Sequence, residues 1–232
     1  MTTVAIAMER IEERIQNACA RSGRERSGVR LMGVSKFHTL PEIEEAWNGG
    51  LRLFGENRVQ EAAEKFSVFK ARQPEAELHL IGSLQRNKAK AAVSLFDAID
   101  SVDREALIDE LGALTNARKT ALPILLELHT AEDSKAGFPN LDSLYHAAEK
   151  AYAFPGLALR GLMTIAPFTS DERLIRASFR TLSAARNNLA ARFPDYDWSC
   201  LSMGMSNDFE IAIEEGATLI RVGTALFGER HT

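Results

Sequence analysis

The stretch Val29–Lys36, VRLMGVSK, is a short apolar run with a β-branched residue near each end and a lysine at its close. It is followed by a helix-start pattern at residues 39–42, TLPE. Side chains alternate along a β-strand. The face that ends in the lysine therefore carries Arg30, Met32, Val34 and Lys36. We predict that this stretch is the first strand of the fold.

Lys36 falls at the carboxyl end of this buried strand. Burial disfavours a charged ammonium, so we expect the pKa of Lys36 to fall, and a neutral amine is a nucleophile that forms Schiff bases. The alternative is a strand-end lysine whose flexible stem reaches solvent. Other features of the sequence are needed to distinguish a Schiff-base lysine from a solvent-exposed one.

Strand-like runs recur along the chain and alternate with helical stretches. The predicted strands lie near 29–35, 51–54, 78–82, 95–99, 122–128, 157–162, 197–201 and 218–222. The predicted helices lie near 41–48, 57–71, 85–93, 103–117, 140–152, 170–192 and 206–214, after an N-terminal helix. This alternation predicts parallel βαβ units, and eight strands favour one (β/α)8 TIM barrel domain over residues 1–232. A doubly wound open sheet is the alternative, but no GxGxxG turn follows an early strand.

Composition favours an ordinary globular protein. The 232 residues are 45% hydrophobic and 26% charged, and the net charge of −4 argues against a general nucleic-acid binder. Cys19 and Cys200 have no metal-ligand spacing, so no metal site is predicted. Glutamates at 9, 12 and 13 interrupt the apolar residues at the start, which excludes a signal peptide, and no run is long enough to span a bilayer. We expect a cytoplasmic protein.

Two small, hydroxylated turns follow the last two predicted strands. Ser202–Asp208, SMGMSND, comes after the seventh strand, and Gly223-Thr224 comes after the eighth. Phosphate sites in TIM barrels often form from these two loops. The alternatives are an ordinary helix cap at Ser206 and an ordinary turn at Gly223.

Arg221 lies on the eighth predicted strand, on the face opposite Ile220 and Val222. If those two residues meet the outer helices, Arg221 points into the barrel one residue before the phosphate turn. It would then form either a structural ion pair with a strand carboxylate or a hydrogen bond to a ligand ring nitrogen. A Schiff-base lysine, a phosphate site and an arginine for a ring nitrogen together match the needs of pyridoxal 5′-phosphate.

Six blocks of the chain, in the expected order, resemble the YggS/PROSC family of pyridoxal phosphate-binding (homeostasis) proteins. They are VSK at 34–36, FGENRVQE at 54–61, HLIGSLQRNKAK at 79–90, EDSKAGF at 132–138, GLMTIAP at 161–167 and SMGMSNDFEIAIEEGATLIRVGTALFG at 202–228. Two positions depart from the pattern: Leu78 stands where the third block usually begins with tryptophan, and Ser83 lies at a variable position.

The resemblance implies a barrel like the amino-terminal domain of alanine racemase, with the cofactor as a Schiff base on Lys36. It also implies that Asn57 lies near the cofactor and Arg221 by the pyridine nitrogen, with phosphate contacts from Ser206, Gly223 and Thr224. Ser202, Met203 and Gly204 belong to the same loop and complete the candidate cofactor-binding set. For Asn57, a cap of the following helix is the alternative.

Other polar residues receive no firm role. His79 lies within the third predicted strand, where a core imidazole is expected, and His38 is either a loop residue or an acid–base group. Lys135 follows the fifth strand and has no assigned role. Arg86, Lys88 and Lys90 form a basic helix face that is expected to be solvated.

The predicted function is that of a carrier and regulator of intracellular pyridoxal phosphate rather than an enzyme, so no catalytic residue is assigned. A racemase needs a second base, which alanine racemases supply from a tyrosine on another domain. Here Tyr145, Tyr152 and Tyr196 lie in a helix or just before strand seven. The alternatives are a pyridoxal-dependent racemase or decarboxylase, and a sugar-phosphate lyase or isomerase. We expect a monomer that supplies pyridoxal-dependent apoenzymes and contacts neither nucleic acid nor membrane.

Overall fold

Eight parallel strands close into a barrel in the computed structural model, which describes residues 3–115, 120–131 and 136–229. The strands are β1 Arg30–Val34, β2 Leu53–Glu56, β3 Glu77–Leu80, β4 Ala98–Val102, β5 Leu122–Glu127, β6 Leu157–Met163, β7 Cys200–Ser202 and β8 Leu219–Val222. They are hydrogen-bonded in sequence order, and β8 returns to β1 with Arg221 opposite Met32. The predicted TIM barrel is confirmed.

Helices surround the barrel and cover its outer face. They are α1 Thr3–Arg21, α2 Leu40–Asn48, α3 Val59–Arg72, α4 Ala89–Leu95, α5 Glu105–Thr115, α6 Leu141–Tyr152, α7 Glu172–Arg192, α8 Phe209–Glu214 and α9 Thr224–Phe227. The apolar face of α1 is buried against α8, α9 and α2, which confirms the N-terminal helix. Within the residues the structure describes, every helix is too short or too polar to traverse a bilayer.

Two apolar layers follow from strand alternation. The larger layer lies between barrel and helices, where Phe54 on β2 meets the Phe69 ring of α3 edge-on at 5.7 Å. The smaller layer fills the barrel interior around Met32, Leu53 and Leu219. Gly55 makes room for it, since a β-carbon there would lie 2.5 Å from the Met32 sulphur.

The fourth strand begins later than the sequence predicts, at Ala98 instead of residue 95. Leu95 still belongs to α4, and Phe96 caps that helix. The strand then continues through Asp100 and Ser101, two polar residues that are fully buried. The hydrophobic pattern missed the carboxyl half of this strand because two of its residues are polar.

Asp100 is buried because it pairs with His79 on the neighbouring strand β3. The Nδ1 atom of His79 lies 3.0 and 3.1 Å from the two carboxylate oxygens of Asp100, and Nε2 lies 2.8 Å from Glu77 Oε1. Both ring nitrogens therefore face acceptors, which favours the doubly protonated imidazolium. Burial opposes that charge, but Asp100 and Glu77 outweigh it and raise the pKa of His79 to about 9. The predicted core imidazole is a buried charged group.

This histidine should make the stability of the protein depend on pH. Its folded-state pKa of about 9 exceeds the ordinary 6.5, so its contribution is complete below pH 6.5 and is lost as the pH rises through 9. The expected fall in the free energy of unfolding across this window is on the order of 3 kcal/mol. Urea titrations of wild type and His79→Gln would measure it. Parallel pH profiles for the two proteins would contradict the assignment.

Candidate functional site

A cavity of about 340 Å³ opens at the carboxyl ends of the strands, where TIM barrels carry their chemistry. We call it the C-terminal cavity. The sequence-predicted residues that line it are Lys36, Asn57, Ser206, Arg221, Gly223 and Thr224. These residues come from the ends of β1, β2, β7 and β8. The fold thus brings six of the nine predicted cofactor-binding residues to one cavity.

Lys36 reaches the cavity because it follows β1 on the inward face. It shares that face with Val34, which also lines the cavity, and the side chain of Lys36 is half-buried. The intervening residue, Ser35, faces outward and is fully buried under α3. The alternation predicted for this strand is therefore confirmed at its carboxyl end.

A buried polar network holds the backbone on both sides of Lys36. The Lys65 ammonium of α3 donates to the Ser35 carbonyl at 2.9 Å and lies 2.7 Å from the Glu56 carboxylate, which also accepts the Ser35 hydroxyl at 2.7 Å. Beyond Lys36, the Phe37 amide donates to Glu61 Oε1 at 2.5 Å. The network fixes the end of β1 against β2 and α3 and so sets the direction in which Lys36 leaves the strand.

Phe37 itself adopts an unusual backbone conformation, with a φ of 65°. Side-chain-bearing residues seldom occupy this left-handed region. The conformation turns the chain sharply after Lys36, and the hydrogen bond that the Phe37 amide donates to Glu61 stabilises that turn. Backbone strain of this kind often occurs at functional sites.

Lys65→Met should destabilise the protein strongly, because it would leave Glu56 buried without its cation. Burial already raises the pKa of Glu56, and Lys65 opposes that rise. We expect a loss of about 3 to 5 kcal/mol in the free energy of unfolding, measured by urea denaturation.

Lys70→Met is the matched control for this substitution. Lys70 lies on the same helix and pairs with the partly exposed Asp97 at 2.6 Å. The loss of an ion pair near the surface should cost about 1 kcal/mol or less. Equal losses for the two variants would show that the Glu56 pair has no special role.

Arg221 is buried inside the barrel, as the strand alternation predicts. Its Nη1 donates to the Ser202 hydroxyl at 2.7 Å and its Nη2 to the Thr164 carbonyl at 2.8 Å. Both partners are neutral, and no carboxylate of the described residues lies within ion-pair distance of this guanidinium. The direct ion pair considered from the sequence is therefore not formed among these residues.

Carboxylates act on Arg221 from a greater distance. Burial lowers the pKa of Arg221, and the negative charges of Asp100, Asp208 and Glu127 oppose this. Burial and the charge of Asp103 together raise the pKa of Glu127 to about 7, against the pull of Arg221. Because a guanidinium stays charged and has five N–H groups, two hydrogen bonds leave donors for a ligand.

The two turns predicted to bind phosphate are adjacent. The Ser206 hydroxyl accepts a hydrogen bond from the Ala225 amide at 3.2 Å, which ties the loop after β7 to the loop after β8. Helix α8 begins at Phe209 with Asp208 in the cap position, so the alternative interpretation of Ser206 as a helix cap is wrong. The helix starts later than predicted because residues 206–208 form a turn, in which Asp208 Oδ1 accepts the Met205 amide at 2.5 Å.

Three predicted residues lie beside the cavity without lining it. Ser202 acts through Arg221, as described above. Met203 packs in the hydrophobic core, and the Gly204 carbonyl accepts the Arg221 amide at 2.9 Å. Gly204 has a φ of 94°, and a β-carbon there would lie 2.5 Å from that of Ala212. These three residues therefore support the residues that line the cavity and do not face it themselves.

Asn57 is not a helix cap, since α3 begins at Val59 and Arg58 occupies the cap position. His38 is buried away from the C-terminal cavity, where its Nδ1 lies 2.9 Å from Glu42 and its ring stacks on Phe227. Lys135 falls outside the described residues. The basic side chain of Arg86 is exposed and pairs with Glu110 at 2.7 Å, as expected for a solvated face.

The sequence did not reveal the apolar wall of the cavity. Ile81 after β3 and the loop after β6, with Ile165, Pro167 and Phe168, line it. Phe168 is 94% exposed at the rim. The available signal was the presence of Ile165 and Phe168 in the loop after β6, because large apolar residues usually pack in the core and not in a loop.

Comparison with known proteins identifies the family of this chain. Residues 6–231 match the family model described as alanine racemase, N-terminal domain. A protein of Aquifex aeolicus named pyridoxal phosphate homeostasis protein is 39% identical, over 96% of each chain. The protein of the same name from Escherichia coli K12 is 36% identical, over 99% of this chain and 98% of its own.

Solved structures give the same result. PipY of Synechococcus elongatus PCC7942, solved with PLP bound, is 38% identical with a TM-score of 0.82, covering 94% of this chain and all of PipY (100%). Alanine racemase of Bacillus anthracis matches at 16% identity and a TM-score of 0.66, over 96% of this chain but 56% of the racemase, which shows the fold alone. The chain therefore belongs to the alanine racemase N-terminal domain family and, within it, to the pyridoxal phosphate homeostasis proteins.

Proposed function

We propose that this protein binds pyridoxal 5′-phosphate in the C-terminal cavity and acts as a carrier and regulator of its intracellular level. The observation that carries the proposal is the convergence of the Lys36 amine, the Arg221 guanidinium and the Ser206 and Thr224 hydroxyls on one cavity. The names of the relatives and the PLP-bound structure of PipY support it.

The residues of the cavity fit the chemical groups of this cofactor. Lys36 would hold the cofactor through its aldehyde as a Schiff base, with the loss of one water. Ser206, Gly223 and Thr224 would hold the phosphate with hydroxyl and amide donors. When bound, the cofactor supplies an electron-accepting ring.

Arg221 favours storage of the cofactor over catalysis. A guanidinium is a donor at every ordinary pH, so a ring nitrogen that faces it stays an unprotonated acceptor. An unprotonated pyridine withdraws electrons poorly, which slows carbanion chemistry. The Ser202 hydroxyl and Thr164 carbonyl hold the guanidinium in place for this role.

Among the described residues, no tyrosine or histidine lines the cavity, and the one carboxylate that does, Asp208, accepts the Met205 amide with its Oδ1 at 2.5 Å. Tyr152 and Tyr196 pack against each other at 4.7 Å, and Tyr145 contacts Phe193, all away from the C-terminal cavity. A racemase needs a base on each face of the substrate carbon. We therefore propose that the protein has no racemase activity of its own. We further propose that it is a cytoplasmic monomer and that pyridoxal-dependent apoenzymes receive the cofactor.

A transfer assay tests this proposal. The protein is loaded with pyridoxal phosphate, freed of excess and mixed with the apo form of a pyridoxal-dependent enzyme in the presence of a carbonyl scavenger. A carrier should restore the activity of that enzyme, whereas an equal amount of free cofactor should be trapped first. Equal trapping in both cases would contradict the carrier function, and inversion of an added amino acid by the protein alone would establish the racemase instead.

A further inference from the structure

A chain of three hydroxyl groups leads from helix α7 to the residue that holds Arg221. The Oγ atom of Ser178 on α7 lies 2.6 Å from the Thr130 hydroxyl, which in turn lies 2.6 Å from the Thr164 hydroxyl. Thr164 directly follows β6, and both Thr164 and Ser178 are buried. We call these three side chains the hydroxyl chain. None of its members lines the C-terminal cavity.

The direction of each hydrogen bond in the hydroxyl chain follows from the single proton that a hydroxyl group carries. The Thr164 hydroxyl donates to the Leu128 carbonyl at 2.8 Å, and that carbonyl can only accept. The proton of Thr164 is therefore used, so Thr130 must donate to Thr164. By the same reasoning, Ser178 must donate to Thr130. Each member thus depends on the next one for its acceptor, and the Leu128 carbonyl ends the chain.

The backbone of Thr164 connects the hydroxyl chain to both partners of Arg221. Its amide donates to the Ser202 carbonyl at 3.1 Å, and its own carbonyl accepts the Arg221 Nη2 donor at 2.8 Å. The Ser202 hydroxyl accepts the Nη1 donor of the same guanidinium at 2.7 Å. All three polar groups of Thr164 are therefore engaged, and a rotation of this residue would move the carbonyl that Arg221 requires.

Neutral hydrogen bonds hold Arg221, since both of its hydrogen-bond partners are uncharged groups. The attraction within an ion pair falls slowly with distance, whereas a hydrogen bond weakens steeply as its angle bends. The orientation of the guanidinium therefore depends on how firmly the Thr164 carbonyl is held. The next residue, Ile165, belongs to the apolar wall of the C-terminal cavity, so the same anchor also fixes the start of that wall.

We propose that the hydroxyl chain positions Arg221: it fixes the Thr164 carbonyl and so directs the remaining donors of the guanidinium into the C-terminal cavity. The inference rests on the proposed function, in which these donors face the ring nitrogen of pyridoxal phosphate. Ser178, Thr130 and Thr164 are positioning residues, because they act through Arg221. Their hydroxyl groups therefore affect the binding of a cofactor that they do not touch.

Thr164→Val and Thr130→Val test the hydroxyl chain, because each keeps the shape of the side chain and removes its hydroxyl. In Thr164→Val the Thr130 proton and the Leu128 carbonyl both lose their partner, so the Kd for pyridoxal phosphate should rise about five- to tenfold. Thr130→Val leaves the bond from Thr164 to Leu128 intact, so it should raise the Kd about two- to threefold and tests the chain even if Thr164→Val does not fold. Thr164→Ser restores the hydroxyl and should recover most of the lost affinity.

The most direct readout is the side chain of Arg221 in the protein without cofactor. Nitrogen NMR should show separate Nη resonances for Arg221 in wild-type protein, because two fixed hydrogen bonds slow the rotation of the guanidinium. Their absence from Arg221→Lys assigns them. Thr164→Val should merge these resonances, Thr130→Val should broaden them, and Thr164→Ser should restore them.

Thr115→Val is the matched control. Thr115 is also fully buried, and its hydroxyl donates within α5, to the Leu111 carbonyl at 2.8 Å. This variant should lose stability without changing the Arg221 resonances or the Kd. Wild-type resonances in both Thr164→Val and Thr130→Val, or an equal change in Thr115→Val, would overturn the inference. A wild-type protein that binds no pyridoxal phosphate would instead contradict the proposed function, and the resonances would still test the hydroxyl chain.

Discussion

Lys36→Ala is expected to abolish the absorption band that wild-type protein develops with pyridoxal phosphate. The amine at the end of β1 is the group of the C-terminal cavity that can bond covalently to the aldehyde. Without it, only the proposed phosphate and ring contacts would hold the cofactor, and no covalent bond would add to them. We expect the Kd to rise about a hundredfold or more, which corresponds to about 2.7 kcal/mol.

The measurement is a spectrophotometric titration with pyridoxal phosphate, read together with far-ultraviolet circular dichroism to show that the variant is folded. Lys88→Ala is the matched control, since Lys88 is a partly buried lysine of the neighbouring loop that lines a different cavity. It should keep the wild-type band. A band of equal intensity in Lys36→Ala would show that another amine binds the aldehyde.

Arg221→Leu is expected to have the second large effect, on both stability and the cofactor. The guanidinium lies among Asp100, Asp208 and Glu127. Asp100 keeps its pair with His79, but Asp208 and Glu127 would lose the positive charge that opposes the effect of their burial. The Ser202 hydroxyl and the Thr164 carbonyl would also lose their donor. We expect the free energy of unfolding to fall by about 3 to 5 kcal/mol.

Arg221→Lys distinguishes charge from geometry at this position. A lysine keeps the positive charge but cannot present two fixed N–H groups to Ser202 and Thr164 while facing a ring nitrogen. It should recover most of the stability, while its band with pyridoxal phosphate stays shifted from that of wild type. Urea denaturation and the absorption maximum are the readouts. Unchanged stability in Arg221→Leu would contradict the role given to this charge.

The barrel and the inward direction of Arg221 could be predicted from sequence because both rest on local periodicity. Alternating strands and helices indicate parallel strands, and a two-residue repeat puts Arg221 on the face opposite Ile220 and Val222, which is the inner face if those two apolar residues meet the helices. The same rule placed Lys36 beside Val34. These inferences need no knowledge of which distant segments meet.

The contacts that position the site could not be predicted, because they join distant parts of the chain. Glu56 falls beyond the predicted second strand, which ends at residue 54, but it lies on the outer face of β2 and pairs with Lys65 of α3. The His79–Asp100 pair was hidden for a related reason. Asp100 shortened the predicted fourth strand because a carboxylate inside a barrel is favourable only when a cation faces it.

The extent of the carrier function depends on how open the C-terminal cavity is. Phe168 at its rim is almost fully exposed, and Ile165 beside it is 39% exposed. Water near the cofactor weakens the electrostatic effects that catalysis needs. An open cavity would also allow the cofactor to be released to another protein, which the transfer assay tests directly.

The most direct test of the account is the position of the covalent bond. The protein is loaded with pyridoxal phosphate, reduced with borohydride, digested and mapped by mass spectrometry. The phosphopyridoxyl group should be found on the peptide that contains Lys36, in proportion to the band lost on reduction. A label confined to other lysines, or no label at all, would contradict it.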